Sequence, residues 1–118
     1  MDTLFYISDN AFCVLISVCS FLLYSNSINA GYVWDDRAAI VGNADVLGTS
    51  TLLELLKHDF WGQNISLPDS HKSYRPITTL SYRLNHSLHG LDAWGFHLGN
   101  VFIFSAVVLM VYQFGLLW

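Results

Sequence analysis

Two adjacent carboxylates, Asp35 and Asp36, are the residues of this sequence best suited to acid–base chemistry. The pair follows an apolar segment, described below, that is predicted to cross a membrane. One carboxylate in such a position can accept the proton of an attacking hydroxyl, as glycosyl transfer from a lipid phosphate donor requires. In an extended chain the two side chains point to opposite sides. At most one of them therefore leads a reaction, while the other holds a backbone group, a cation or a second ligand. The alternative is a solvated acidic turn.

A group of cations, His71, Lys72 and Arg75, lies just before Pro76, where a helix is predicted to begin. Cationic side chains beside the positive end of a helix suit an anionic group such as phosphate. The alternative is a charged loop that faces water. The sequence has no nucleophilic serine or cysteine arrangement, no phosphate-binding glycine loop and no dinucleotide fingerprint.

Asn-x-Ser sequons at Asn64 and Asn85 predict N-glycosylation, and their use would place this part of the chain in the endoplasmic reticulum (ER) lumen or outside the cell. His86 and His89 are one helical turn apart, but a metal site needs further ligands at fixed geometry. The sequence offers no such spacing, so we predict surface histidines and no metal.

The segments that must position these residues are two apolar stretches near the ends of the chain. Residues 11–24 and 96–118 contain no Asp, Glu, Lys or Arg, and all five Lys and Arg lie between them. A bilayer core needs about 20 mostly apolar residues. We therefore predict an all-α membrane protein with a tail at 1–10, a transmembrane helix at 11–30, a loop at 31–93 and a second transmembrane helix at 94–118.

The first apolar segment could also be a cleaved signal peptide. Its flank carries Asp2 and Asp9 and no Lys or Arg, whereas a signal peptide starts with basic residues. We therefore expect an uncleaved anchor. The net charge of −4 and the absence of a basic run argue against nucleic acid as a partner.

The loop is predicted to contain short helices. Thr51 and Glu54 form a capping-box pattern ahead of leucines at helical spacing. Pro76 is favoured at a first helical position and Gly90 can end the same helix. These signals predict an extended stretch at 31–36 and helices at 51–59 and 76–89.

Two signals disagree about the side of the membrane on which the loop lies. The sequons favour the lumen, whereas the Lys and Arg of the loop favour the cytoplasm under the positive-inside rule. That rule applies mainly to loops shorter than about 60 residues and to charges near the ends of the spans. This loop is at that limit and most of its charges are central.

Several short strings occur in an order that is more specific than any one of them: Tyr32–Asp36 (YVWDD), Asn43–Asp45 (NAD), Asp59–Gly62 (DFWG), Ser70–Pro76 (SHKSYRP) and Tyr82–Asn85 (YRLN). Together they resemble the start of the transmembrane and tetratricopeptide-repeat (TMTC) proteins over roughly Ser25 to Val101. The separation of DFWG from SHKSYRP is highly specific.

The resemblance implies a multi-pass ER protein O-mannosyltransferase with a GT-C fold and a lumenal first loop, in agreement with the sequons. It implies dolichyl-phosphate mannose as donor, Ser and Thr of secretory-pathway proteins such as cadherins as acceptors, and no cofactor. Asp35 falls on the general base, and Asp36 falls on a second acid associated with acceptor binding. His71, Lys72 and Arg75 fall in a basic motif, and their assignment to the donor phosphate is a hypothesis from charge.

The chain departs from the family in what it lacks. The family has many more membrane helices, a second lumenal motif and a C-terminal array of repeats. We therefore expect an N-terminal piece of such an enzyme, inactive by itself. The alternative is a small two-span membrane protein that acts as a non-enzymatic binding or regulatory partner.

Overall fold

The computed structural model describes residues 9–117, so the predicted tail is covered only at its end, and Asp2 and Trp118 lie outside the described residues. The elements in chain order are α1 (Asp9–Tyr24), a 3₁₀ helix (Ser25–Asn29), a π-helical turn (Arg37–Val41), α2 (Ala44–Leu47), α3 (Leu52–Leu55), α4 (Pro76–His89) and α5 (Ala93–Gly115). The predicted all-α class is confirmed. The chain divides into two compact units: the terminal unit, with α1, the 3₁₀ helix and α5 from His97 onward, and the loop unit, residues 31–96.

The terminal unit contains the two predicted apolar helices. α1 and the 3₁₀ helix form one helical segment of 21 residues, Asp9–Asn29, and α5 has 23 residues. Both are long and apolar enough to cross a bilayer, which confirms the prediction of two such helices. Three aromatic pairs join them, with ring centroids 4.4–5.3 Å apart: Phe12 with Tyr112, Phe21 with Phe102 and Tyr24 with Phe104.

The loop unit has a small apolar core with aromatic rings around it. Its fully buried members are Ala39, Ile40, Val46 and Phe96, and the partly buried rings packed against them are Tyr32, Phe60, Trp61 and Tyr82. Few apolar residues are therefore available to hold this unit together. Buried polar side chains, described below, also stabilise the unit by forming hydrogen bonds to backbone groups.

The helix predicted at 76–89 is confirmed as α4, which begins at Pro76 and ends at His89. Gly90 follows with φ of +64°, a conformation that glycine adopts without a Cβ clash. The capping box is also confirmed, since the Thr51 hydroxyl accepts from the Glu54 N–H at 3.2 Å and the Glu54 carboxylate accepts from the Thr51 N–H at 2.7 Å. The Glu54 carboxylate has a lowered pKa because of these bonds to Thr51.

Two local predictions were wrong. The helix predicted at 51–59 ends at Leu55, because His58 leaves the helical path to bond a buried carboxylate and to form a β-bridge with Asn64. The stretch at 31–36 is not extended throughout, because a helical turn begins at Asp35. The turn that precedes it is at Trp34, whose φ is +29°.

Candidate functional site

The acidic pair lies at the start of a helical turn in which the two carboxylates have different roles. The Asp36 carboxylate accepts from the Val33 N–H at 3.0 Å, and the Asp36 N–H donates to the Val33 carbonyl at 2.8 Å. This reciprocal pair fixes Asp36 against the backbone in the manner of a capping box. Asp35 is exposed, and within residues 9–117 its carboxylate has no hydrogen-bond partner. Asp35 is therefore the carboxylate available to an incoming group.

Trp34, the residue before the pair, combines an unusual backbone with an unusual exposure. Its φ of +29° lies in the left-handed region, which costs a bulky residue about 1–3 kcal/mol. Its side chain is 92% exposed, although an indole is among the most apolar of side chains. Together with Tyr32, Val33 and Arg37 it lines an open groove of about 410 Å³.

Two phenols lie near Asp36. Tyr32 and Tyr82 each pack edge-on against Phe96, with ring centroids 5.8 Å apart. Burial raises the pKa of both hydroxyls, and the negative charge of Asp36 raises both further. Among residues 9–117 the buried Tyr32 hydroxyl oxygen has no hydrogen-bond partner. This side of the site therefore holds neutral hydroxyl groups beside a carboxylate.

Arg75, although far from Asp36 in the sequence, also affects one of these phenols, Tyr82. Its guanidinium carbon lies 5.1 Å from the centre of the Phe60 ring, within the range of a cation–π contact. The Phe60 ring lies 6.2 Å from that of Tyr82. The positive charge of Arg75 lowers the pKa of Tyr82 while that of Asp36 raises it. The charge of one member of the acidic pair and that of a candidate phosphate-binding cation thus both affect the pKa of Tyr82.

His71 and Lys72, the other two predicted phosphate ligands, have contacts of their own. The His71 ring packs against Trp61 with centroids 5.8 Å apart. The Lys72 ammonium donates to the Ile65 carbonyl at 2.6 Å and also to the Leu67 carbonyl. Lys72 therefore closes a surface loop in this structure. Phosphate binding by these two residues stays a prediction.

Asp59, which the sequence analysis did not assign, organises the loop that carries this basic segment. It is only 2% exposed, and its carboxylate accepts from the Trp61 and Gln63 N–H groups at 3.0 and 3.1 Å. It also accepts from the Ser70 hydroxyl at 2.5 Å and the His71 N–H at 3.2 Å. Burial raises the pKa of Asp59, but these four hydrogen bonds outweigh burial and lower it overall. The strings DFWG and SHKSYRP are therefore joined through one carboxylate.

A second buried polar cluster holds α2, and sequence analysis missed it as well. Asp45 is fully buried and bonds the His58 imidazole at 2.9 Å and the Ser50 hydroxyl. The Asn43 amide donates to the Ala39 and Phe60 carbonyls, each at 3.1 Å. Asn43 and Asp45 both lie in the string NAD, and their presence there is the signal that could have indicated a structural role.

The two sequon asparagines differ in their surroundings. Asn64 is exposed, and its side-chain oxygen accepts from the Ser66 N–H at 2.9 Å. Asn85 lies within α4, and its side-chain nitrogen donates to the Gly95 carbonyl at 2.9 Å. That nitrogen is the atom to which an N-glycan is attached. In residues 9–117, no group of three or more His, Cys, Asp and Glu side chains could hold a metal ion.

Comparisons with known proteins give one consistent group of relatives. The chain is 44% identical over 96 residues to "Protein O-mannosyl-transferase Tmtc1" of Drosophila melanogaster, which covers 81% of this chain and 11% of that protein. It is 41% identical over 98 residues to TMTC2 of Mus musculus, covering 83% of the chain and 12% of the relative. It is 43% identical over 91 residues to TMTC2 of Homo sapiens, covering 77% of the chain and 11% of the relative.

The chain therefore spans only 11–12% of the length of these curated relatives. No protein-family model matches it, and no solved structure matches it. The family resemblance that the sequence strings indicated is confirmed by the relatives.

Proposed function

Because this chain is homologous to the TMTC protein O-mannosyl-transferases, we propose that it supplies the acidic loop of an enzyme of that class. The proposed donor is dolichyl-phosphate mannose, and the proposed acceptors are Ser and Thr hydroxyls of secretory-pathway proteins, including cadherins. The proposed location is the ER membrane with residues 31–96 in the lumen. Two helices that could cross the membrane and two sequons between them support that location.

In the proposed reaction Asp35 is the general base. The acceptor oxygen forms a bond to the anomeric carbon of mannose, the bond from that carbon to the phosphate oxygen breaks with inversion, and the acceptor proton passes to Asp35. The exposed and unbonded carboxylate of Asp35 supports this assignment over Asp36, which is held by Val33. Asp36 would then fix the turn and contact the acceptor.

Arg75 is the proposed partner of the leaving dolichyl phosphate. A guanidinium binds phosphate oxygens through paired hydrogen bonds, and a fixed cation stabilises the charge that develops on the leaving group. Arg75 is exposed, and its guanidinium carbon lies 5.1 Å from the centre of the Phe60 ring. His71 and Lys72 would assist from the same segment.

The observation that best supports the proposal is the division of roles within the acidic pair. Asp36 is held by the Val33 N–H at 3.0 Å, while the neighbouring Asp35 is exposed and, among residues 9–117, unbonded. The charges of Asp36 and Arg75 also shift the pKa of Tyr82 in opposite directions, and a carboxylate and a cation are the two types of group that glycosyl transfer from a phosphate donor needs.

The test is mannose transfer by a full-length chimera in which this chain replaces the matching segment of the Drosophila relative. Microsomes containing the chimera receive radiolabelled dolichyl-phosphate mannose and a Ser/Thr acceptor domain. We expect Asp35→Asn to lower transfer by about 10²–10⁴-fold, the usual contribution of a general base. The control Asp69→Asn changes an exposed carboxylate in the same loop and should transfer like the parent. An Asp35→Asn chimera as active as its parent would refute the assignment.

The alternative, a non-enzymatic binding partner, is favoured by one feature of α4. Ile77, Leu84 and Leu88 form an apolar stripe along this helix and are 82%, 62% and 68% exposed. A stripe of this kind is typical of a helix that packs against another surface. The chimera separates the two functions, because a binding partner does not need Asp35.

A further inference from the structure

The strained turn at Trp34 presents an indole to solvent directly before the acidic pair. Its φ of +29° is a conformation that Asn or Gly adopts more easily than Trp. Strained positions persist where the surrounding structure holds them, and they are concentrated at ligand sites. Here the Asp36 carboxylate spans the strained turn and accepts from the Val33 N–H. The turn is thus fixed by Asp36, the direct neighbour of the proposed general base.

The groove beside this indole is lined by aromatic and charged residues. Two of its lining residues are aromatic, Tyr32 and Trp34, and one is cationic, Arg37, while Asp35 follows Trp34 directly and is exposed. A pyranose has a corresponding division, with C–H groups on one face and hydroxyls around its edge. An aromatic face takes up the C–H groups, and carboxylate and guanidinium groups bond the hydroxyls.

We propose that Trp34 is a stacking platform for a hexose ring, held over the groove so that the anomeric carbon lies near Asp35. The identity of that hexose as the mannosyl group of the donor rests on the proposed function. Stacking of this kind needs a ring in one fixed orientation, which explains why a strained backbone is kept. A tryptophan that merely anchors the loop at a bilayer surface has no such need, because an unstrained residue can also reach the interface.

The first test measures sugar binding without any transfer step. The full chain is placed in lipid nanodiscs, and saturation-transfer NMR is recorded with methyl α-D-mannopyranoside at millimolar concentration, with empty nanodiscs as the blank. The proposal expects saturation at the ring C–H protons in the parent, a reduced signal in Trp34→Phe, which keeps an aromatic face, and loss of the signal in Trp34→Asn. Asn tolerates the left-handed backbone, so the unfolding temperature of that variant should equal or exceed that of the parent.

The matched control is Trp94→Phe, which changes an indole that packs on His89 with ring centroids 4.5 Å apart and should leave the sugar signal unchanged. No signal in the parent, or an undiminished signal in Trp34→Asn, would overturn the proposal. In the chimera the Trp34→Asn change should raise the KM for the donor about tenfold, equivalent to about 1.4 kcal/mol, with little change in kcat. Because the NMR experiment involves no transfer, mannoside binding by the chain in nanodiscs together with an inactive chimera would contradict the proposed function and keep the platform.

Discussion

Replacement of Asp59 should disrupt the loop unit more than any other single change to an acidic residue outside the acidic pair. The carboxylate is buried and accepts four hydrogen bonds, from Trp61, Gln63, Ser70 and His71. In Asp59→Asn one side-chain oxygen can still accept from Trp61 and Gln63. The new amide nitrogen faces Ser70 and the His71 N–H, so one interaction is weakened and one becomes a contact between two donors.

The expected cost follows from those two interactions. Hydrogen bonds to a charged group contribute about 1.5–3 kcal/mol, and a buried donor left unpaired costs about 1–3 kcal/mol. Allowing for partial relaxation, Asp59→Asn should lower the free energy of unfolding by about 2–4 kcal/mol. For a unit of this size each kcal/mol shifts Tm by about 4–8 °C, so a fall of at least about 8 °C is expected.

The lowered pKa of Asp59 adds a pH signature to this prediction. The unfolded state binds a proton near pH 3.9, whereas the folded state binds it only at lower pH. The unfolded state therefore binds more protons between these values, and stability falls as the pH drops through that window. Asp59→Asn should flatten the acid dependence of Tm below about pH 4.

The assay is thermal unfolding of the purified chain in nanodiscs, followed by tryptophan fluorescence, since Trp61 contacts the His71 ring. Asp69→Asn is the matched control, because Asp69 is exposed in the same loop and should leave both Tm and its pH dependence unchanged. Equal Tm values and equal acid dependence in Asp59→Asn and the parent would refute the role assigned to Asp59.

Two further predictions concern glycosylation and backbone geometry. When the chain is made with microsomes, Asn64→Gln should remove a glycan-sized gel shift and Asn85→Gln should not. The Asn85 amide nitrogen donates to the Gly95 carbonyl, whereas among residues 9–117 the Asn64 amide nitrogen has no such partner; the reverse result would contradict this. Gly62→Ala should lower Tm by several degrees, since Gly62 has φ of +81° and a new Cβ would lie 2.6 Å from the Asn43 side-chain oxygen. Gly31→Ala is the control, because a Cβ there meets nothing within 4 Å, and equal Tm values for the two variants would contradict the strain argument.

Local signals in the sequence were sufficient to predict the elements that depend only on neighbouring residues. Pro76 and Gly90 mark the two ends of α4, and both act through their own backbone preferences. The capping box at Thr51 joins residues within one helical turn and could likewise be predicted from the sequence. The two long apolar helices follow from the lack of charge in their segments.

The features that could not be predicted depend on partners far along the chain. The burial of Asp59 requires Ser70 and His71 to fold back on it, and the burial of Asn43 requires the carbonyl of Phe60. Nothing near Trp34 in the sequence indicates a positive φ, because Trp disfavours it intrinsically. The effect of both Asp36 and Arg75 on the pKa of Tyr82 was also not predictable, since Asp36 is far from the other two residues in the sequence.

The most direct test of the central claim is the side of the membrane on which the loop lies. A single cysteine introduced as Asp69→Cys, with Cys13 and Cys19 replaced by serine, is exposed to a membrane-impermeant maleimide on intact microsomes. The account predicts that labelling occurs only after detergent is added, which places Asp35 and Asp36 in the lumen. Labelling of intact vesicles would place the loop in the cytoplasm, as its Lys and Arg residues alone would indicate, and would contradict the mannosyl-transfer role.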